Sequence, residues 1–470
     1  MTDTSGERAD AVVGVVITGD NHLSPALPRL SPARRQQRRG WLRRGFKAAV
    51  DCALERGAAL FISTGDLFDS PAPTNQDRAF VAEHLHRLRR AGIVCVGISG
   101  NHDTPRMQTE HGGESPQQVY AALDELRYFA SAETLEPQVI ALGGLHVAVV
   151  GLSNNPVAPP GSDPLANATW SADAERALAE ADVALLIAHA AIEGLARPNE
   201  GERTIAQASL KALPEQVRLV AAGHIHRFAR QRIGDCEVVV VGATERMEFG
   251  AQAGEAGFAW AELARDGVRR VEHIRTEEQP RAEITIHTSS LWPAGDDAPD
   301  APDAPGVNGV NGVNGVNGVN GARSDQPHDQ PHDQRQVERA EQRHALDVIR
   351  GELEAVCTPQ TMARLKLSGP LSREQYHQLA LREVITLGQQ RAFSLDVDTS
   401  GLTLVERAFA LPDLGSQAEA LSPAEMIARV VEETLSHHEH GETIDFEPAD
   451  LRAASDLLLA RLRASGAEGA

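Results

Sequence analysis

The chain has few of the residues that would staple or anchor a fold. Its 470 residues include four scattered cysteines, Cys52, Cys95, Cys236 and Cys357, and no CxxC pair. That argues against a disulfide framework, and the thiols read as small buried apolar groups of a reducing cytoplasm. No apolar run approaches the roughly 18 residues needed to span a bilayer. The opening "MTDTSGERAD" is polar and acidic and lacks the apolar stretch of a secretory signal. Positive charge is also scarce overall. A formal net charge of −21 argues against a nonspecific nucleic-acid coat protein.

The charge is unevenly spread. From Arg29 to Lys47 there are eight basic residues and no acidic one, whereas the last sixty residues hold twelve acidic and four basic residues. The basic run is either a solvated helix face or a local patch for phosphates. At 470 residues the chain is long enough for two to four domains.

Buried-strand runs alternate with helical patterns through the first 275 residues, the mark of a layered α/β or α+β fold. "AVVGVVITGD", "AALFISTGD", "IVCVGISGNHD", "DVALLIAHA" and "VRLVAAGHIH" read as strands, and "VIALGGLHVAVVGLS" as a hairpin. "CEVVVVGATER" and "GFAWAELARDGVRRVEHIR" read as late strands of a second sheet. Near residue 295 the composition changes to five VNG triplets, Val307 to Gly321, and two DQPH tetrads ending at His332. Glycine at every third place without proline is not collagen, and a solvated linker over about 295–335 is expected.

Beyond it, "ARLKLSGP" and "AFSLDVDTSG" read as strands around the helix "SREQYHQLALREVITLG", with Ser372 and Gln375 at capping-box spacing. "RAEITIHTSS" supplies a further strand. The tail reads as helical, with Ser422 and Glu425 as a second capping box and apolar faces at Ile427, Val430, Val431 and Leu435 and at Leu451, Leu458, Leu459 and Leu462. The expected domains are therefore 1–275, a small β-α-β domain over 276–405 containing the linker, and a helical region over 406–470.

The chemistry sits at strand exits. "GDNH" brings Asp20 and His22, "GDLFD" brings Asp66 and Asp69, and "GNHD" brings Asn101, His102 and Asp103. "LLIAHAA" then places His189 at a strand end, and "GHIH" places His224 and His226 two residues apart. In an extended segment residues i and i+2 face the same side, and strand ends in open α/β sheets converge on one crevice. Singly, each fragment is commonplace. Together they assemble carboxylate, imidazole and carboxamide donors in the number two divalent cations require. Glycine precedes Asp20, Asp66, Asn101 and His224, which suggests tight turns aiming those side chains.

This ordered set resembles the calcineurin-like metallophosphoesterases, whose pattern runs D-x-H, G-D-x-x-D, G-N-H-[DE], a lone H, then G-H-x-H. "GDLFD", "GHIHRFAR" and "VGATERMEFGAQAGEAGFAWAEL" are further similar to the SbcD-type DNA double-strand-break repair nucleases. The resemblance implies a two-sheet αββα sandwich with a small capping domain and C-terminal helices. It implies two divalent ions, with manganese favoured, one held by Asp20, His22, Asp66 and His226 and the other by Asp66, Asn101, His189 and His224. His102 would be the general acid, oriented by Asp69 or Asp103, and Arg106, Arg34 and Arg35 are candidate phosphate contacts. The implied partners are DNA, an SbcC-like coiled-coil ATPase docked on the C-terminal helices and a second copy of the chain, acting in the cytoplasm at the nucleoid. Two rival readings remain: a phosphodiesterase for cyclic nucleotides or other small esters, and a non-catalytic DNA-end-binding adaptor.

Overall fold

In the computed structural model, the described residues are 11–405, apart from 108, 110, 196–200, 251–253 and 293–329, together with 431, 452–454 and 456. Two six-stranded sheets lie face to face. The first follows the order β12-β11-β1-β2-β3-β4, built from β1 (Val12–Thr18), β2 (Leu60–Ser63), β3 (Val94–Gly97), β4 (Arg127–Tyr128), β11 (Gly257–Ala264) and β12 (Gly267–Arg275). The second follows β9-β10-β8-β7-β6-β5, from β5 (Gln138–Leu142), β6 (Leu145–Leu152), β7 (Val183–His189), β8 (Val217–Gly223), β9 (Ala229–Ile233) and β10 (Cys236–Val240).

The period-2 pattern of β1 explains the layering. Val13, Val15 and Ile17 turn into the space between the sheets, where they meet Val147, Val149, Leu185, Ile187, Leu219 and Val239. Val16, on the opposite face, packs with Leu42, Phe46 and Val50 of α1 (Pro32–Glu55) and Val81, Leu85 and Leu88 of α2 (Asn75–Arg90). The outer face of the second sheet is covered in part through Leu178 and Leu210, from the short helices Ala174–Glu180 and Gln207–Lys211. This is a mixed α/β, αββα arrangement with one thin outer layer.

One strand placement differs from the sequence reading. Only "CEVVVVG" joins the second sheet; β11 and β12 return to the first, β11 pairing antiparallel with β1 from Val12↔Ala264 to Ile17↔Ala259. Trp260 accounts for the fit, because its ring occupies the place a side chain at Gly14 would take, with a Cβ there meeting ring carbon at 2.3 Å.

A separate three-stranded sheet, β13-β14-β15, forms from Arg281–His287, Met362–Leu371 and Ser394–Leu404. β13 and β14 are parallel, joined by a crossover that contains α3 (Gln330–Val356). α3 begins within the stretch expected to be linker, and its Ala345, Ile349 and Leu353, spaced i, i+4, i+8, bury against Ile284, Leu365 and Val384. The helix expected after β14 is two helices, α4 (Arg373–Gln378) and α5 (Leu381–Arg391), broken at Ala380, whose φ is 43°. The capping box is present: Ser372 Oγ accepts from Gln375 N, and Gln375 Oε1 accepts from Ser372 N at 2.8 Å.

The chain divides into two units after Thr403. Val431 is helical; the other residues of the proposed C-terminal faces and the second capping box lie outside the described residues, as do the VNG triplets. Among the described residues no helix is long and apolar enough to cross a membrane.

Candidate metal centre

The parallel strands β1, β2 and β3 deliver their exit loops side by side. The first two zip together by backbone bonds: Asp20 N to Gly65 O (3.1 Å), His22 N to Asp66 O (3.0 Å) and Leu23 N to Leu67 O (3.0 Å). β7 ends at His189 and β8 at Gly223, and their register sets Gly223 beside His189. Five strand ends thus face one point, as the spacing of the motifs implied.

Oxygen and nitrogen donors crowd there. The ligand atoms of Asp20, His22 and His226 lie within 4.8 Å of one another, as do those of Asp20, Asp66 and His189. His22 Nε2 faces His226 Nε2 at 3.0 Å. Asn101 Oδ1 contacts His189 Nε2 at 3.0 Å and His224 Nδ1 at 2.9 Å. Asp66 Oδ2 stands 3.2 Å from His189 Nε2 and 3.9 Å from His22 Nε2, so this carboxylate would be within reach of ions held on either side of it. All seven side chains proposed from sequence as metal ligands are brought together.

The electrostatics fit cations. Asp66 is 1 % exposed. Burial would raise its pKa, yet the His189 imidazole beside it holds it well below the usual carboxylate range. Burial likewise opposes charge on His189, but Asp66 overrides it and lifts the ring to about 9. Burial also opposes charge on His226, and Glu248 beside it reverses the balance, leaving its pKa above the usual imidazole value. Burial and then the His189 charge push His224 the other way, below the usual imidazole value. Two of the buried imidazoles thus draw protons toward the carboxylates, and the pocket's mixed nitrogen and oxygen donors suit manganese, iron or zinc. The residues fit two divalent ions.

Backbone strain gathers at the same positions. Asp20, His22, Asp66 and His224 have φ of 47°, 45°, 47° and 91°, the left-handed region that costs side-chain-bearing residues about 1–3 kcal/mol each. This corrects the expected use of glycine. Of the four preceding glycines only Gly65 has positive φ (96°). Gly19, Gly100 and Gly223 are needed for room: a Cβ on Gly100 would lie 2.2 Å from Asp66 Oδ1, and one on Gly223 2.5 Å from Thr64 O.

His102 stands beside the cluster with its side chain 44 % exposed and its Nδ1 3.7 Å from Asp69 Oδ1. Asp69 lies closer to His22 Nδ1, at 3.2 Å. Asp103 does not face His102. Its buried carboxylate accepts from Gly100 N (2.8 Å), Phe68 N (3.3 Å) and Gln117, bracing the third loop from behind. Burial and then the Asp66 charge push it up to about 7. Arg106 lines a cleft of about 250 Å³ with Asp69, Asn101 and His102. Arg34 borders a different cleft and donates to Gln389 O at 2.7 Å; Arg35, on the same turn of α1, is half-buried.

Along its second half the basic run is largely engaged by the protein itself, although Arg44 and Lys47 stay exposed. Arg38 is buried on Glu245, Arg39 donates to Pro25 O and Arg43 to Asp77, Arg44 stacks on Trp41, and Lys47 pairs with Asp51. Sequence reasoning also missed two acidic residues. Glu202 Oε1 lies 2.6 Å from His224 Nε2, and Glu248 Oε1 lies 3.2 Å from His226 Nδ1.

The calcineurin-like phosphoesterase family model matches residues 14–228. Among curated proteins, the chain is similar to the DNA double-strand break repair protein Mre11 of Sulfurisphaera tokodaii, 24% identical over 252 residues, which cover 52% of this chain and 59% of that one. Mre11 of Saccharolobus solfataricus is 24% identical with 52% and 60% covered, and that of Thermoplasma acidophilum 27% identical with 43% and 49% covered. The match thus spans roughly half to three fifths of those relatives' length. The ordered strand-end donors and the family model converge on one region: residues 14–228 match the calcineurin-like phosphoesterase model and carry its ordered donor set.

Proposed function

We propose that the chain is a divalent-metal phosphodiesterase that cuts DNA at or near ends, a nuclease of double-strand-break repair. One observation carries the reading: seven donor side chains from five strand ends meet around the shared carboxylate of Asp66. The Mre11 relatives, named as double-strand break repair proteins, support DNA as the substrate class. In this reading one ion takes Asp20, His22, Asp66 and His226, and the other takes Asp66, Asn101, His189 and His224, with manganese the favoured metal. When bound, two such cations would supply Lewis acidity to the phosphate oxygens and the attacking water.

The chain's own residues then have distinct tasks. His102, which lines the cleft with Asn101, would hand a proton to the leaving oxygen. Asp69 bears on both His22 and His102 and would fix the tilt between them. Arg106 would grip a phosphate at the cleft rim. Arg34 and Arg35 would meet DNA only further out, where α1 borders the small domain. A coiled-coil ATPase and a second copy of the chain are the partners proposed, with action in the cytoplasm at the nucleoid.

The test is cleavage of end-labelled duplex DNA by the full chain with manganese, beside His102→Ser and Asp66→Ala. Loss in both variants is expected. Hydrolysis of bis-p-nitrophenyl phosphate with DNA untouched, even with the ATPase present, would favour the small-ester reading. Inactivity toward both substrates with DNA-end binding retained would favour the adaptor.

A further inference from the structure

A metal-binding imidazole uses one nitrogen on the ion, and the other needs an oxygen partner to fix the tautomer and the ring's direction. In this cluster His189 Nδ1 donates to Thr64 O at 2.8 Å, and His22 Nδ1 contacts Asp69 Oδ1 at 3.2 Å. Both partners belong to the strand-end motifs. His224 and His226 are served differently. His224 turns Nδ1 to the cluster and Nε2 to Glu202; His226 turns Nε2 to the cluster and Nδ1 to Glu248. Neither glutamate lies in a strand-end motif.

We propose that Glu202 and Glu248 are positioning residues, each holding the outer nitrogen of one of the two neighbouring imidazoles so that its inner nitrogen faces a different metal position. His224 and His226 are only two residues apart, with the left-handed turn at His224 between strand and loop. The two rings present different nitrogens to the cluster, Nδ1 from His224 and Nε2 from His226, so their tilts differ. Carboxylates arriving from two separate segments divide the task.

Each carboxylate is itself held. Arg203, next to Glu202, donates to Asn154 Oδ1 at 2.7 Å and Ala158 O at 3.1 Å, pinning that loop to the end of the second sheet. Glu248 sits in a segment fixed on both sides. Arg38 bonds Glu245 at 2.8 Å and Arg246 O at 3.0 Å, and the guanidinium groups of Arg281 (5.0 Å) and Arg364 (4.5 Å) both lie over the Phe249 ring. An orienting group works best when its support is fixed, and here the chain beside each glutamate is held, although the Glu248 side chain itself is 60 % exposed.

This inference rests on the two-cation reading above, and calorimetric titration of the full chain with manganese separates the two. Wild type is expected to bind two ions. Glu202→Ala should weaken one binding event about 10–100-fold, Glu248→Ala the other, and the double variant both. Glu202→Gln and Glu248→Gln keep an oxygen that can accept from the ring and should restore most of the affinity, which a merely structural role would not predict. Melting of the chelated variants at the wild-type temperature controls for folding. Unchanged binding in both alanine variants would overturn the positioning role. Weakening of the same event by both would overturn the division between metals. A wild type that binds no manganese would instead bring down the two-cation reading itself.

Discussion

The backbone N–H of His102 donates to Oδ1 of Asp66 across 2.8 Å. The carboxylate at the centre of the donor cluster therefore also anchors the loop that carries the candidate proton donor. Its other oxygen, Oδ2, faces His189 and His22. Metal binding and placement of His102 are coupled through one side chain.

That coupling separates two substitutions. His102→Ser leaves its backbone donor and the whole donor set in place, so manganese binding should persist while cleavage falls by about 10²–10⁴-fold. Asp66→Ala removes the shared ligand and the loop anchor together, so both binding and cleavage should be lost. Titration calorimetry beside a cleavage assay reads the difference. Equal loss of binding in the two variants would remove the distinct role of His102.

Ion binding should be visible as stability. Manganese at about 100 times its dissociation constant would add about 2.7 kcal/mol to the folded state for each ion bound, and chelation would reverse it. Denaturant unfolding with and without manganese measures this. Asp66→Ala should unfold identically in both conditions.

Gly100→Ala is the smallest change expected to spoil the centre. The added Cβ would stand 2.2 Å from Asp66 Oδ1 and 2.6 Å from Asp66 N, and backbone cannot step aside as a flexible side-chain tip can. A loss of about 1–3 kcal/mol in stability is expected, with weakened manganese binding. Wild-type melting and affinity in this variant would show that the loops are not packed as tightly as the geometry requires.

The Arg38–Glu245 pair has side chains 3 % and 0 % exposed and is shared with Gln279. Arg38→Ala leaves a buried carboxylate facing Gln279 and should cost about 3–5 kcal/mol by urea unfolding. The double change Arg38→Met with Glu245→Leu should recover much of that loss, because no charge is then stranded. Recovery by neither would mean the pair is open to water.

Much of this was legible in the sequence because strand exits announce themselves: an apolar run ends at a glycine and a polar side chain follows. Asp20, Asp66, Asn101 and His224 were found in this way, and His189 as a polar residue ending an apolar run without a glycine. Glu202 and Glu248 were given no role, although Glu248 lies within the quoted segment from Val241 to Leu263, because a glutamate in a loop looks like any solvated charge until the fold brings it to a ring nitrogen. Asp103 misled for the reverse reason. It sits inside the motif, but its direction is set by Gly100, Phe68 and Gln117, two of which are distant in sequence. The return of β11 to the first sheet was hidden because apolar strands carry no mark of the partner they choose; only the meeting of Trp260 with Gly14 decides it. The apolar spacing of Ala345, Ile349 and Leu353 in α3 was not read as a helix, because the low-complexity stretch before it, expected to run to about 335, drew attention away from it.

Phe249, under the guanidinium groups of Arg281 of β13 and Arg364 of β14, is one residue from Glu248. One short segment therefore touches the small sheet through an aromatic ring and the donor cluster through a carboxylate 3.2 Å from His226 Nδ1. It is a splice between the two.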